Sequence, residues 1–110
     1  MNRARQTEAM LKALAEPQRV AILRLVRSRE LKAGEIASHF RTTRSGISQH
    51  LRVLTTAGIL SQRRQGTCRL YQLRLEAYGQ LKAFLDGFWE QSLARLKSEA
   101  EMESKRKRNR

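Results

Sequence analysis

Residues 36–75 read IASHFRTTRSGISQHLRVLTTAGILSQRRQGTCRLYQLRL. This stretch holds seven arginines (Arg41, Arg44, Arg52, Arg63, Arg64, Arg69 and Arg74), no lysine, and no acidic residue between Glu35 and Glu76. Thr43 offers a hydroxyl to cap a helix, and Ile47, Leu51 and Leu54 recur at i, i+4 and i+7 until Gly58 supplies a C-terminal stop. Ahead of it, residues 33–40 predict a short helix with Ile36, Ala37 and Phe40 inward, although Lys32 stands where Ser, Thr or Asp would cap better. Behind it, residues 59–65 and 68–74 form two extended runs around Gly66-Thr67, where a glycine at the first central position permits a type II′ hairpin turn. Helix, tight turn, helix and basic hairpin is the order of parts in a winged helix-turn-helix, mostly α with one small β-hairpin.

The flanking sequence completes the helical frame. Residues 6–15 carry Ala9, Met10, Ala13 and Leu14 on one side of a first helix, and Glu16-Pro17 breaks the pattern and restarts it, because proline suits the first helical position. A second helix over 17–29 then turns Ile22, Leu23 and Val26 inward. From 75 to 97 the helical period returns with Leu81, Phe84, Leu85, Phe88, Trp89, Leu93 and Leu96. That is more apolar surface than one side of a small core needs, so part of it is expected to meet another subunit. Residues 1–98 are expected to form a single domain for DNA binding and dimerisation; 99–110, with charges of both signs and Met102 as the one sizeable apolar side chain, are expected to fray or be disordered.

Composition restricts the function. Net charge is +13, and residues 1–98 alone hold 18 Lys+Arg against 7 Asp+Glu, so the basic end is not its source and the partner should be polyanionic. A single cysteine, Cys68, excludes an internal disulfide and multi-cysteine metal sites and fits a reducing cytoplasm. No apolar run approaches the ~18 residues of a membrane span, and the N-terminus is polar rather than signal-like, which reads as a cytoplasmic protein. With no paired carboxylates in a cleft, no Cys/His/Asp set and no phosphate-binding glycine loop, the chain does not read as an enzyme.

With Ile47 inward, Ser45, Gln49, Arg52 and Thr56 fall on the outer face of the fourth helix, flanked by Arg44 and Ser48. Arginine can donate two hydrogen bonds to guanine, glutamine can pair with adenine, and hydroxyls serve base or phosphate, so these residues suit the major groove of double-stranded DNA. Thr43, Arg63, Arg64 and Arg69 are expected mainly to hold phosphate, the last three from the hairpin. Gly46, in the first turn, admits either close approach to phosphate or tight packing against the third helix. His50 reads as a packing or hydrogen-bonding residue and Cys68 as an inert small one; a DNA contact and a redox role are their alternatives. Trp89 with its aromatic neighbours reads as core and interface rather than as a ligand pocket. The end Lys105-Arg106-Lys107-Arg108-Asn109-Arg110 is either a cationic arm for DNA or a solvated terminus.

Leu14-Ala15-Glu16-Pro17-Gln18-Arg19, Gly34-Glu35-Ile36-Ala37, the run from Ser45 to Leu54, Ala57-Gly58-Ile59-Leu60 and Arg63-Arg64-Gln65-Gly66 resemble the ArsR/SmtB family of bacterial transcriptional repressors over about residues 6–97. The resemblance implies a homodimer built on the first and last helices, with Met10, Leu14, Leu81, Phe84, Leu85, Phe88, Trp89 and Leu93 as candidate interface residues, seated on an inverted-repeat operator. Metal sensors of this type place a Cys-x-Cys-like pair at the start of the third helix, where this chain has Lys32-Ala33-Gly34-Glu35. Others use histidine and acidic ligands on the last helix, where 75–97 offers only Glu76, Asp86 and Glu90. No metal or other cofactor is therefore expected, and the effector is undefined. A general nucleic-acid binder, architectural or RNA-associated, is the alternative that +13 would also serve.

Overall fold

The computed structural model describes residues 3–108. Five helices and three strands follow in the order α1 (Arg3–Leu14), α2 (Pro17–Val26), β1 (Leu31–Lys32), α3 (Ala33–Ala37), α4 (Arg44–Thr56), β2 (Leu60–Gln65), β3 (Cys68–Leu73) and α5 (Leu75–Arg108). The strands form one antiparallel sheet in the order β1-β3-β2. This is a winged helix-turn-helix, mostly helical with a small sheet.

Local chemistry sets the element boundaries. Glu16 caps α2 by accepting from the Gln18 N–H, and Pro17 occupies its first turn. Arg19 reaches back to the end of α1, where its Nε donates to the Ala13 carbonyl at 2.6 Å and its Nη2 to that of Lys12 at 3.4 Å. The Lys12 carbonyl also accepts the Ala15 N–H at 3.2 Å, so a tightened last turn and the Arg19 side chain together close α1, and Arg19 ties α2 to its end. α3 is capped from the other direction: the Glu35 carboxylate accepts the Lys32 backbone N–H at 3.0 Å, which offsets the poor residue at the cap position. The helix is shorter than the sequence suggested. After Ala37, His39 and Phe40 donate to carbonyls three residues back, so this part of the chain tightens into turns instead of continuing as α-helix.

α4 starts on the Thr43 hydroxyl, which accepts the Gly46 N–H at 3.2 Å. It ends in a Schellman motif: Ile59 N–H donates to Leu54 and Gly58 N–H to Thr55, both at 3.0 Å, with Gly58 at φ +84°. Ile59 and Leu54 are both buried, the apolar contact that accompanies this cap. Gly66 has φ +63° while Thr67 does not have positive φ, as a type II′ turn requires, and the hairpin pairs Gln65 with Cys68 and Arg64 with Arg69. β1 is an addition to the expected elements. Its two residues pair with β3, Leu31 with Tyr71 and Lys32 with Leu70, and tie the approach to α3 to the hairpin.

Met10, Ile22, Val26, Ile36, Ile47, Leu51, Leu54, Ile59 and Leu60 are all essentially inaccessible and form one core between the helices and the base of the hairpin. α5 meets this core only near its start, through Ala77 and Leu81. It then runs on for a total of 34 residues, roughly 51 Å of helix, and gives the molecule a longest dimension of 74 Å. Residues 99–108, expected to fray, continue this helix. No glycine or proline follows Gly87, and the Arg95–Glu99 and Glu103–Arg106 pairs join successive turns. Asn109 and Arg110, the end of the expected cationic arm, lie outside the described residues. Among the described residues no helix is long and apolar enough to cross a membrane.

Candidate nucleic-acid interface

α4 divides cleanly into two faces. Ile47, Leu51 and Leu54 are buried, while Arg44, Ser45, Ser48, Gln49, Arg52 and Thr56 are exposed. The helix is held from behind by side chains of α2. Gln18 Nε2 donates to the Thr42 hydroxyl in the turn before α4, and Gln18 Oε1 lies 2.9 Å from His50 Nε2. An amide oxygen can only accept, so His50 carries its proton on Nε2 and its Nδ1 accepts from Arg19 Nη1 at 3.3 Å. Arg19 also closes α1, so three helices are joined through Gln18, Arg19 and His50. His50 is thus a hydrogen-bonding residue between helices. At Gly46 a Cβ would stand 2.8 Å from Thr42 Cγ2 and 3.2 Å from Thr43 Oγ1. The glycine therefore lets the turn close against the helix start, and its crowding neighbours belong to the turn rather than to α3.

A cleft of about 780 Å³ separates α4 and the start of α3 from the hairpin; Arg44, Ser48, Arg52, Gln62, Arg69 and Tyr71 are among its lining residues. Lys32 also borders it, and the carboxylate in its lining, Glu35, is the one that accepts the Lys32 N–H. Cys68 lies at the hairpin end of this cleft, half-buried and reduced. Lys32 and Gln62 were not among the residues expected at the site. Strand alternation could have found Gln62, which shares a face with Arg64.

The wing arginines separate into two groups. Directly paired residues of an antiparallel ladder point to the same face, so Gln62 with Tyr71 and Arg64 with Arg69 share one face, and Arg63 with Leu70 takes the other. Arg64 and Arg69 are exposed and, like Arg44 and Arg52, have no carboxylate partner among the described residues. Arg63 instead makes a two-point contact with Glu30, Nε to Oε2 at 2.7 Å and Nη2 to Oε1 at 3.0 Å. Hydrogen bonding and charge from Arg63 hold the Glu30 carboxyl below its ordinary pKa, and Glu30 raises that of Arg63. Glu30 immediately precedes β1, outside the acid-free stretch of sequence.

The residues expected between subunits are also divided. Met10 is only 1% exposed and sits inside the core of the single chain, because α1 turns that side onto α2 and α4; Leu14 and Leu81 are partly buried against the same core. Phe84, Leu85, Phe88, Trp89 and Leu93 are exposed, Phe88 at 53% and Trp89 at 56%. Phe88 stacks on Phe84 and meets Trp89 edge-on, with ring centres 6.4 and 5.7 Å apart. A second cleft, about 860 Å³, runs between α1 and the first turns of α5, with Leu11 and Phe84 on its walls and Thr7 bonded to Gln80 across it.

A polar recognition helix beside a cationic wing is the arrangement of a duplex-DNA reader. Residues 16–62 match the model of the bacterial regulatory protein family arsR. The chain is 37% identical over 93 residues to the HTH-type transcriptional regulator Rv2034 of Mycobacterium tuberculosis, covering 84% of this chain and 87% of that one. It is 38% identical over 64 residues to the transcriptional repressor SdpR of Bacillus subtilis, covering 58% and 71%. The homodimeric winged helix-turn-helix DNA-binding domain Mb0332 of Mycobacterium bovis superposes with a TM-score of 0.65 at 28% identity, over 79% of this chain and 81% of that one. The chain belongs to the ArsR family of transcriptional regulators and acts by binding DNA.

Proposed function

We propose that the protein is a repressor that binds an inverted-repeat operator as a homodimer, with α4 in the major groove and the hairpin along the flanking phosphates. The observation that carries this reading is the cleft between α4 and the wing, where Arg44, Arg52 and Arg69 converge beside the polar residue Ser48, none of the three arginines having a carboxylate partner among the described residues. In the complex Arg44, Ser45, Ser48, Gln49 and Arg52 read bases or hold groove phosphates, and Thr43, Arg64 and Arg69 hold the backbone. The exposed aromatic patch of α5 and the cleft against α1 form the subunit contact; Phe84, Leu85, Phe88, Trp89 and Leu93 are its apolar centre. A two-fold dimer presents two copies of α4 about one helical turn of DNA apart, so the operator shares that symmetry. No metal is assigned to the site: the start of α3 offers Lys32, Ala33 and Gly34 where a sensor needs soft donors.

Repression follows from occupancy of promoter DNA, and the testing experiment is protection of a promoter fragment from cleavage together with the mass of the complex. A two-fold symmetric footprint holding two chains is expected. A footprint without symmetry, or one chain per site, would overturn the dimeric reading.

A further inference from the structure

We propose that Glu30 limits the sequence-independent DNA affinity of this protein by holding Arg63 on the outer face of the wing, out of the set of cations that contact phosphate. The inference rests on the wing lying along DNA, as proposed above. Three observations converge on it. The contact is bidentate at 2.7 and 3.0 Å, the geometry in which a guanidinium is most fully engaged by a carboxylate. Strand register puts Arg63 on the face opposite Arg64 and Arg69. On that face its register partner Leu70 is only 7% exposed yet stands outside the core cluster, and the register sets Arg63 on one side of it and Lys32 on the other, two long side chains whose aliphatic stems can cover it while the Arg63 head meets Glu30.

The consequence follows from charge. In a chain of net charge +13 every phosphate contact strengthens binding to operator and random sequence alike, so it governs overall affinity and its salt dependence rather than the ratio between the two. An internal carboxylate that neutralises one wing arginine lowers the sequence-independent part and leaves the base contacts of α4 untouched. β2 is an edge strand, so Arg63, once released, can swing round the sheet edge to the phosphates. The same pair joins the segment before β1 to β2 across the central strand, which fixes the wing relative to α3.

The test is the salt dependence of binding to a random-sequence duplex, compared for the full chain and for Arg63→Met, Arg64→Ala and Glu30→Gln. Methionine keeps a long apolar side chain beside Leu70, and thermal unfolding of each variant verifies that it folds. Each phosphate contact contributes about 0.9 to the slope of log K against log salt. Arg64→Ala should lower the slope by that amount and Arg63→Met should leave it unchanged. Glu30→Gln should steepen it by about 0.9, equivalent to an extra ~3-fold loss of affinity between ~50 and ~200 mM salt, and should tighten random-duplex binding at the low end. A slope lowered by Arg63→Met as much as by Arg64→Ala would overturn the inference, as would Glu30→Gln binding with an unaltered slope. An unchanged slope for Arg64→Ala would show instead that the wing is not on the phosphates, and the inference would fall with that reading.

Discussion

Exchanges at single positions separate base reading from phosphate holding. Gln49 is exposed on the outer face of α4, so Gln49→Ala should relax preference at particular base positions, by about 1–3 kcal/mol for a glutamine amide that pairs with a base edge through two hydrogen bonds. Arg64→Ala should weaken all sequences alike; competition binding against a panel of single-base operator variants distinguishes the two. Loss of affinity that is uniform for both would contradict base readout by α4. Glu30 gives a pH signature. Arg63 stabilises its ionised form in the folded chain, so the pair is intact above the ordinary carboxylate range and is lost only as pH falls through the lowered pKa. Wing amide resonances should therefore hold steady from neutral pH down through that ordinary range and move only at more acidic pH. At this scale the outer face of α4 was legible, because helical period alone turns Gln49 and Arg52 away from Ile47. The Arg63–Glu30 pair was not legible: Arg63 and Arg64 are adjacent in sequence but on opposite faces, and the acid-free count could not register a carboxylate arriving from before β1.

The elements depend on caps as much as on apolar pattern. Thr43→Ala removes the acceptor for the Gly46 N–H and should cost about 1 kcal/mol, while Thr43→Ser should cost little. Gly58→Ala forces a side chain into the left-handed region at φ +84°, which costs roughly 1–2 kcal/mol. It also brings a Cβ to 2.8 Å from Gln6 Nε2 and 3.3 Å from Arg74 Nη1. Both penalties should appear as a lowered urea midpoint with an unchanged slope, and a midpoint equal to that of the parent would contradict the cap geometry. These ends were legible because Thr43, Gly58 and Gly66 each meet a backbone requirement that few residues satisfy. β1 was not, since a two-residue strand has no period to detect and is created by its pairing with β3. The early end of α3 was equally hidden: residues 38–40 keep helical spacing, and only their hydrogen bonds show the change to tighter turns.

For the whole molecule the decisive feature is that α5 extends far past the core it starts on, carrying exposed Phe84, Leu85, Phe88, Trp89 and Leu93. If a second copy covers that patch, Phe88→Glu should shift the sedimenting species from two chains to one and weaken operator binding, while the helical content of each chain is retained. Dimeric Phe88→Glu protein at micromolar concentration would place the interface elsewhere. The excess apolar surface was evident from spacing in the sequence, but Met10 was not separable from it, because α1 has inward and outward apolar residues and only packing decides between them. The helical continuation through 99–108 was also missed, since its support comes from ion pairs along the helix rather than from apolar contacts. The central claim, a symmetric dimer reading a defined site through α4, is tested most directly by sequencing the genomic fragments that the purified chain retains at about 150 mM salt, where phosphate-only binding is largely suppressed. Enrichment of one inverted repeat with half-site centres about 10 bp apart, or a multiple of that, is the predicted result; retained fragments that share no motif would contradict it and favour a general nucleic-acid binder.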